Sequence, residues 1–156
     1  MQAALPYLKT LSPERFLEIY SGLEVQGYGP LDREVAQSLK FRPQAISKLP
    51  MAQRAKRARQ IVEQSANEEL AYELMGAYLL RHKKALVTGF LDATGVAHQD
   101  GMIEDIQAAQ PDAAKVGDAV AVLDQSFGKD DVSMYLVLCA AMWPTNEGVA
   151  KARASR

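Results

Sequence analysis

The sequence predicts an all-α fold: an irregular, orthogonal bundle of about seven to nine helices around a buried C-terminal helix. Alanine is the commonest residue and aromatic residues make up only 7% of the chain, a composition that favours helix over sheet. Runs of alternating β-branched residues, which would indicate strands, are absent. Many short apolar segments recur at helical spacing, and brief helices of this kind more often stack at steep angles than form a regular four-helix bundle.

The first predicted helices are marked by proline at their starts and glycine at their ends. Ser12 followed by Pro13 is typical of an N-cap with proline at the first helical position. This helix is predicted to end near Gly22, because the segment 22–29 contains three glycines and no periodicity and is therefore predicted to be a loop. A second helix is predicted to begin at Pro30, to run through Leu39 and to end at Arg42-Pro43, and a brief helical turn is predicted around residues 45–49.

A basic helix is predicted over residues 50–64, beginning at Pro50. One apolar stripe recurs along it at helical spacing, and the residues opposite the stripe are polar. The stripe consists of Met51, Ala55, Ala58 and Val62.

The longest helical stretch is predicted from about Ala66 to Thr94. Ser65 and Glu68 match the S-x-x-E capping box that begins a helix. The apolar positions of the first half do not continue in phase into the second half, so a kink is predicted near residues 81–84.

Gly95 is predicted to end this stretch. Leu91 and Val96 occupy the two positions whose side chains touch in a Schellman motif, which specifies this ending well. Asp100 is then predicted to cap a short helix through Ile103 and Ile106.

Two further helices are predicted in the last third of the chain. The first begins after Pro111 and ends at Gly128, and its apolar positions form the cleanest amphipathic pattern of the sequence. Those positions are Val116, Val120, Leu123 and Phe127. Asp130 or Asp131 is predicted to cap the second, Val132–Trp143. Because this last helix is apolar nearly all round, it is the predicted centre of the fold.

We expect one helical domain over residues 1–144 and a flexible basic tail over residues 145–156, since the tail is small, polar and basic. No segment approaches the roughly 20 apolar residues that span a bilayer, and the first residues lack the pattern of a secretion signal. The chain has one cysteine, which fits a reducing compartment. These features predict a soluble, cytoplasmic protein with no membrane partner.

The basic helix over residues 50–64 is the first candidate functional site. Residues 35–62 contain no acidic residue but seven cations. Four of those cations share this helix: Arg54, Lys56, Arg57 and Arg59. They must face solvent, another part of the chain or a partner, and phosphate groups would suit them because each neutralised phosphate releases counterions. No aromatic residue interleaves the cations, so the part of the site that would read bases is missing.

The acidic second half of the chain provides a competing explanation for the basic helix. Residues 92–131 contain nine acidic residues and only two lysines, and the net charge of the whole chain is −1. Basic and acidic faces could therefore meet within the fold or between subunits, or remain solvated. We favour these outcomes over a nucleic-acid or anion site.

The turn from Asp92 to Asp105 is the second candidate, because it has the helix, loop and helix of a calcium hand. Aligning Asp100–Ile103 with the centre of that motif places Val96 and Gln107 at its first and twelfth ligand positions, where carboxylates are needed. His98 with a neighbouring carboxylate would leave a transition-metal site incomplete. The sequence therefore predicts no metal ion and no cofactor.

Other chemistry-bearing residues have structural explanations. Cys139 lies in the most apolar helix and is predicted to be an inert, buried thiol with a raised pKa. Core packing is the predicted role of Trp143, and an anchor for a partner is the alternative. The sequence contains no G-x-S-x-G elbow, G-x-G-x-x-G segment or phosphate-binding P-loop.

The leading prediction is therefore a non-enzymatic helical domain for protein interaction or scaffolding, with an unknown protein partner or self-association. The alternative is binding of nucleic acid or an anionic ligand through the basic helix, with the four cations above as the contact residues. An enzyme of unknown chemistry is the third hypothesis.

Overall fold

A computed structural model describes residues 4–23, 48–64 and 66–156. These residues form eight α-helices and no strand, which confirms the all-α prediction and the predicted number of helices. The helix predicted from Pro30 to Arg42-Pro43, most of the helical turn predicted around residues 45–49 and most of the loop predicted over 22–29 lie outside the described residues. The helices are α1 (Ala4–Thr10), α2 (Pro13–Leu23), α3 (Met51–Gln64), α4 (Glu68–His82), α5 (Lys84–Thr94), α6 (Ala113–Phe127), α7 (Lys129–Met142) and α8 (Glu147–Ala154).

The described chain divides into two compact units, residues 4–74 and residues 75–156, with the boundary inside α4. The single helical domain expected over residues 1–144 stays a prediction. None of the described helices has the length and apolar character that a bilayer span requires.

In the unit of residues 4–74, α3 packs against both α1 and α2. The predicted cap of α2 is confirmed, because the Ser12 hydroxyl accepts a hydrogen bond from the Arg15 backbone N–H at 3.1 Å. The core between these helices is closed by Leu8, Phe16 and Ala58, each at most 1% exposed. Capping and burial together fix α2 along one side of α3.

The predicted capping box at the start of α4 is wrong. The helix begins at Glu68, and the side chain of Asn67 accepts from the Leu70 N–H at 3.0 Å. The Glu68 carboxylate accepts instead from the backbone N–H groups of Ala4 and Leu5, at 2.7 and 3.2 Å. Asparagine caps a helix as well as serine does, and the free N–H groups of α1 compete for the glutamate. Ser65 lies outside the described residues.

The predicted kink between α4 and α5 is confirmed, because Lys83 separates the two helices with non-helical torsion angles. The Schellman ending of α5 is also confirmed. Gly95 has φ 76°, the Val96 N–H donates to the Leu91 carbonyl at 2.9 Å, and the Gly95 N–H donates to the Asp92 carbonyl at 3.3 Å. Leu91 and Val96 are both buried, as the motif requires.

Asp100 does not cap a helix, so that prediction is wrong, and the stretch through Ile103 and Ile106 contains turns, a bend and the bridge residue Met102 but no helix. Asp100 and Gly101 have φ values of 54° and 87°, and two backbone hydrogen bonds of 2.8 and 2.9 Å join Gln99 to Met102. Two successive positive φ values define a type I′ turn, which the dipeptide Asp-Gly favours. The same aspartate that resembles a helix cap in the sequence therefore begins a tight reversal.

In the unit of residues 75–156, α6 packs against α5, α7 and α8. Asp112 caps α6 by accepting from the Ala114 N–H at 3.1 Å, and Gly128 ends the helix with φ 88°. The predicted stripe of α6 is confirmed at its three buried positions, and Phe127 is half-buried. The buried positions are Val116, Val120 and Leu123.

The predicted burial of the last apolar helix is confirmed in α7. Its residues from Met134 to Ala140 are all buried, and the ring of Tyr135 meets that of Phe90 edge-on at 5.3 Å. The predicted cap is wrong, because α7 begins at Lys129 and Asp131 lies buried within its first turn. Trp143 has the predicted core role: it is 1% exposed, and its indole N–H donates to the Ile106 carbonyl at 2.9 Å.

The structure differs from the predicted flexible tail, since residues 147–154 form α8. The side chain of Asn146 accepts from the Val149 N–H at 3.1 Å and donates to the Pro111 carbonyl at 2.8 Å. Beyond α8, the Arg156 guanidinium binds both carboxylate oxygens of Asp124 at 2.8 Å. Hydrogen bonds thus hold both ends of this segment in place.

Candidate functional site

The four cations predicted as a site do not form one face of α3. Each helical residue advances by about 100°, so Arg54 and Arg59 flank the buried stripe on its two sides. Arg54 is only 9% exposed. Arg57 is half-buried and donates to the side chain of Gln60 at 2.9 Å, whereas Lys56 is exposed. Of the four, Lys56 is therefore the cation most available to a partner.

Arg59 joins α3 to the turn between α1 and α2. One nitrogen of its guanidinium donates to the carbonyls of Lys9 and Leu11, and Nε donates to the Glu63 carboxylate at 2.8 Å. The guanidinium carbon lies 5.4 Å from the centre of the Phe16 ring, within the range of a cation–π contact. Through these contacts Arg59 holds α3 against α2 and against the turn between α1 and α2.

An apolar groove of about 450 Å³ runs between α2 and α3, and we call it the α2–α3 groove. Its apolar lining includes Phe16, Leu17, Ala52 and Ala55, and its charged lining includes Glu14 and Lys56. A volume of this size lies within the range of small-molecule sites, roughly 300–1,000 Å³. Because all the lining residues lie between Pro13 and Gln60, the groove belongs to one compact unit.

Burial increases toward the floor of the α2–α3 groove. Phe16 and Ala55 are 1% and 4% exposed, Leu17 is half-buried, and Glu14 and Lys56 are exposed. The angular order of the residues around each helix agrees with this gradient. Glu14 therefore lies at the outer edge of the α2 wall and Lys56 at the outer edge of the α3 wall.

Among the residues that the structure describes, the two charges at the outer edges have no partner, whereas their charged neighbours do. Arg15 pairs with Glu18 at 2.9 Å and Arg59 pairs with Glu63 at 2.8 Å. Within the part of the chain that the structure describes, the side chains of Glu14 and Lys56 make no hydrogen bond or ion pair. With respect to the described ranges, each wall thus presents one charge without a partner, negative on α2 and positive on α3.

The turn that carries His98 has a structural role. The Gly101 N–H donates to His98 Nδ1 at 3.1 Å, and His98 Nε2 lies 2.7 Å from the Asp92 carboxylate oxygen. An imidazole with both nitrogens engaged has no lone pair for a metal ion or a substrate proton. Across residues 4–23, 48–64 and 66–156, no three His, Cys, Asp or Glu side chains are grouped to hold a metal.

A second apolar groove, of about 380 Å³, lies beside α8. Its lining is mostly small residues such as Ala140, Ala150 and Ala154, with Arg153 as the charged member. Arg153 already has an interaction within the chain. This groove therefore lacks the unpaired charges that distinguish the α2–α3 groove.

The single thiol is chemically quiet. Cys139 is 0% exposed, and burial raises its pKa well above the usual value. Burial also raises the pKa of the neighbouring Tyr135 phenol. Since the thiolate is the reactive form of cysteine, this pair offers no nucleophile at neutral pH.

Sequence reasoning recognised Lys56 and Arg59 but missed Glu14, Leu17 and Ala52. These residues lie on two helices that are far apart in sequence, so no local pattern places them together. The sequence did contain one signal that the four cations do not share a face. At about 100° per residue, Arg54 and Lys56 lie on opposite sides of α3. The chain matches no protein-family model, no curated protein and no solved structure.

Proposed function

We propose that this protein is a non-enzymatic interaction domain whose α2–α3 groove receives a helix of a partner protein. The observation that carries the proposal is the apolar groove itself, which is lined by side chains of both α2 and α3. Grooves of this kind bind the apolar face of an amphipathic helix through anchors at i, i+3, i+4 and i+7. Burial of the exposed parts of Leu17 and Ala52 would drive the association.

Hydrogen bonds that tie the two walls of the groove to the rest of the unit support this function. Arg59 ties α3 to the turn that precedes α2, and Ser12 caps α2 at its first turn. A groove that is already formed loses less conformational entropy when a partner binds. The partner helix can therefore dock without rearranging the unit.

Binding of nucleic acid through the basic helix has less support. Arg54 is buried and Arg59 is bonded to the α1–α2 turn, which leaves Lys56 and Arg57 to contact phosphates. Those two are about 100° apart on the helix, so they do not form a continuous basic strip. A cytoplasmic location remains part of the proposal, since a buried free thiol suits a reducing compartment.

Selection from a displayed library of amphipathic helices, each about 16 residues or four turns long, would test the function. The variant Ala52→Trp fills the groove from an exposed position, and Ala121→Trp is the matched control at an exposed position of α6. We expect the enriched peptides to bind the wild type and Ala121→Trp equally and Ala52→Trp at least about tenfold more weakly. Failure to enrich any peptide, or equal binding to Ala52→Trp, would contradict the proposal.

A further inference from the structure

The charges on the two walls of the α2–α3 groove are of opposite sign. Glu14 lies at the outer edge of the α2 wall and Lys56 at the outer edge of the α3 wall, and both are exposed. Neither side chain has a partner among the described residues, although Arg15 and Arg59 nearby are both paired. A helix lying in the groove would have one of its edges beside each of these charges.

We propose that the occupant is an amphipathic partner helix with an acidic side chain on the edge next to α3 and a basic side chain on the edge next to α2. This inference rests on the proposed function and adds the chemistry of the partner. The acidic residue of the partner pairs with Lys56 and its basic residue pairs with Glu14. The apolar stripe between those two edges covers Leu17 and Ala52.

The pairing governs the choice of partner more than the strength of binding. An ion pair at an exposed edge changes affinity only a few fold, while a like charge in the same place repels. A helix with two acidic edges meets Glu14 unfavourably, and one with two basic edges meets Lys56 unfavourably. The groove therefore discriminates among helices that share the same apolar stripe.

Reversing the direction of a bound helix exchanges its two edges. A peptide with its acidic and basic edges exchanged can therefore bind in the opposite direction and is not a suitable control. Peptides whose two edges carry the same charge avoid this ambiguity, because reversal leaves them unchanged. The test therefore compares peptides that differ in the total charge of their two edges.

The experiment combines three peptides with four proteins, and the groove-filling variant Ala52→Trp is measured beside them. The peptides share one Leu/Ala stripe over about 16 residues and carry one Glu edge and one Lys edge, two Glu edges, or two Lys edges. The proteins are the wild type, Lys56→Glu, Glu14→Lys and the control Lys115→Glu, which changes an exposed lysine of α6. Fluorescence polarisation gives the affinities at about 50 mM and about 500 mM NaCl.

We expect the wild type and Lys115→Glu to prefer the mixed peptide by about fivefold. Lys56→Glu, with two acidic walls, should prefer the peptide with two Lys edges. Glu14→Lys, with two basic walls, should prefer the peptide with two Glu edges. All three preferences should shrink at the higher salt concentration, because exposed charges are then screened.

The same preference in every protein, with binding still lost in Ala52→Trp, would overturn the charge pairing and leave the groove function standing. Absence of binding to all proteins, or equal binding to Ala52→Trp, would overturn both. Circular dichroism of each variant identifies loss of fold. If Lys56→Glu unfolds, Lys56→Gln removes the charge alone, and its affinity for the two-Lys peptide should then rise relative to the mixed peptide.

Discussion

At the scale of single residues, two cations one helical turn apart on α3 have different roles. Arg59 reaches two backbone carbonyls, one carboxylate and one aromatic ring, while Lys56 extends into solvent. Guanidinium is planar and holds several donors in a fixed fork, whereas an ammonium group on a flexible stem does not. The identity of the cation therefore matters at position 59 and only its charge matters at position 56.

Arg59→Lys should lower the free energy of unfolding by about 1–2 kcal/mol, because lysine keeps the charge but loses the simultaneous hydrogen bonds. Lys56→Gln, the matched change one turn away, should stay within about 0.5 kcal/mol of the wild type. Urea denaturation followed by circular dichroism measures both values. Equal effects of the two substitutions would contradict the structural role of Arg59.

At the scale of helices, α8 packs closely against the start of α6 at Gly148. A β-carbon added there would lie 2.4 Å from the carbonyl oxygen of Ala113 and 2.8 Å from its α-carbon. Both contacts are with backbone, which cannot move aside as the end of a flexible side chain can. The absence of a side chain at Gly148 is therefore what allows α8 to pack on the start of α6.

Gly148→Ala should destabilise the protein by about 1–3 kcal/mol, because the two helices must separate to admit the methyl group. Gly117→Ala provides the matched control within α6, since nothing lies within 4 Å of the β-carbon that it adds. This change should stabilise by about 0.5–1 kcal/mol, as alanine is the better helix former. Thermal unfolding should shift in opposite directions for the two variants, and a shift in the same direction would refute the packing argument.

The break between α4 and α5 is coupled to α7 through Lys83. Its ammonium lies 3.4 Å from the carboxylate of Asp131, which is 9% exposed, whereas Lys84 lies 3.8 Å from Asp100, which is 82% exposed. Loss of its charged partner destabilises the protein more when a carboxylate is buried than when it is exposed to water. Lys83 therefore neutralises a buried carboxylate, whereas the adjacent Lys84 neutralises one that water already solvates.

Lys83→Met should cost about 1–3 kcal/mol of stability, because it removes a charge partner from buried Asp131. Lys84→Met should cost no more than about 0.5 kcal/mol, as exposed pairs contribute little. Paired denaturation curves in low salt provide the measurement. If Lys84→Met proved to be the more damaging change, the assignment of Lys83 to Asp131 would be wrong.

At the scale of the whole molecule, the features that local sequence determines were predictable. The cap at Ser12, the break near Lys83 and the Schellman ending at Gly95 each depend on residues within one or two turns. The burial of α7 followed from its uniform apolar character. These predictions needed no knowledge of how one helix meets another.

The features that were missed depend on competing local signals or on distant residues. Asp100 resembles a helix cap, but the glycine after it favours the reversal. The short α8 buries only two residues, Val149 and Ala152, so its periodicity is too weak to distinguish it from a tail. The α2–α3 groove requires residues around positions 13–17 and 52–60 to come together, which periodicity within either helix does not determine.

The burial of Cys139 has a practical consequence. As the chain has one cysteine, the wild-type protein carries a single thiol, closed inside α7. A thiol reagent can reach it only when α7 separates from its neighbours, so the rate of labelling reports the opening of residues 75–156. We expect negligible labelling in native buffer and one label per chain in urea.

A cysteine placed at exposed Ala52 should react at once under native conditions while Cys139 stays protected. A dye attached there would fill the α2–α3 groove, as the indole does in Ala52→Trp, and should weaken peptide binding without removal of the natural thiol. Rapid reaction of the wild-type protein would contradict the closed packing of α7. Because the Cys139 thiol is buried, a cysteine introduced at the surface can be labelled selectively in the native protein.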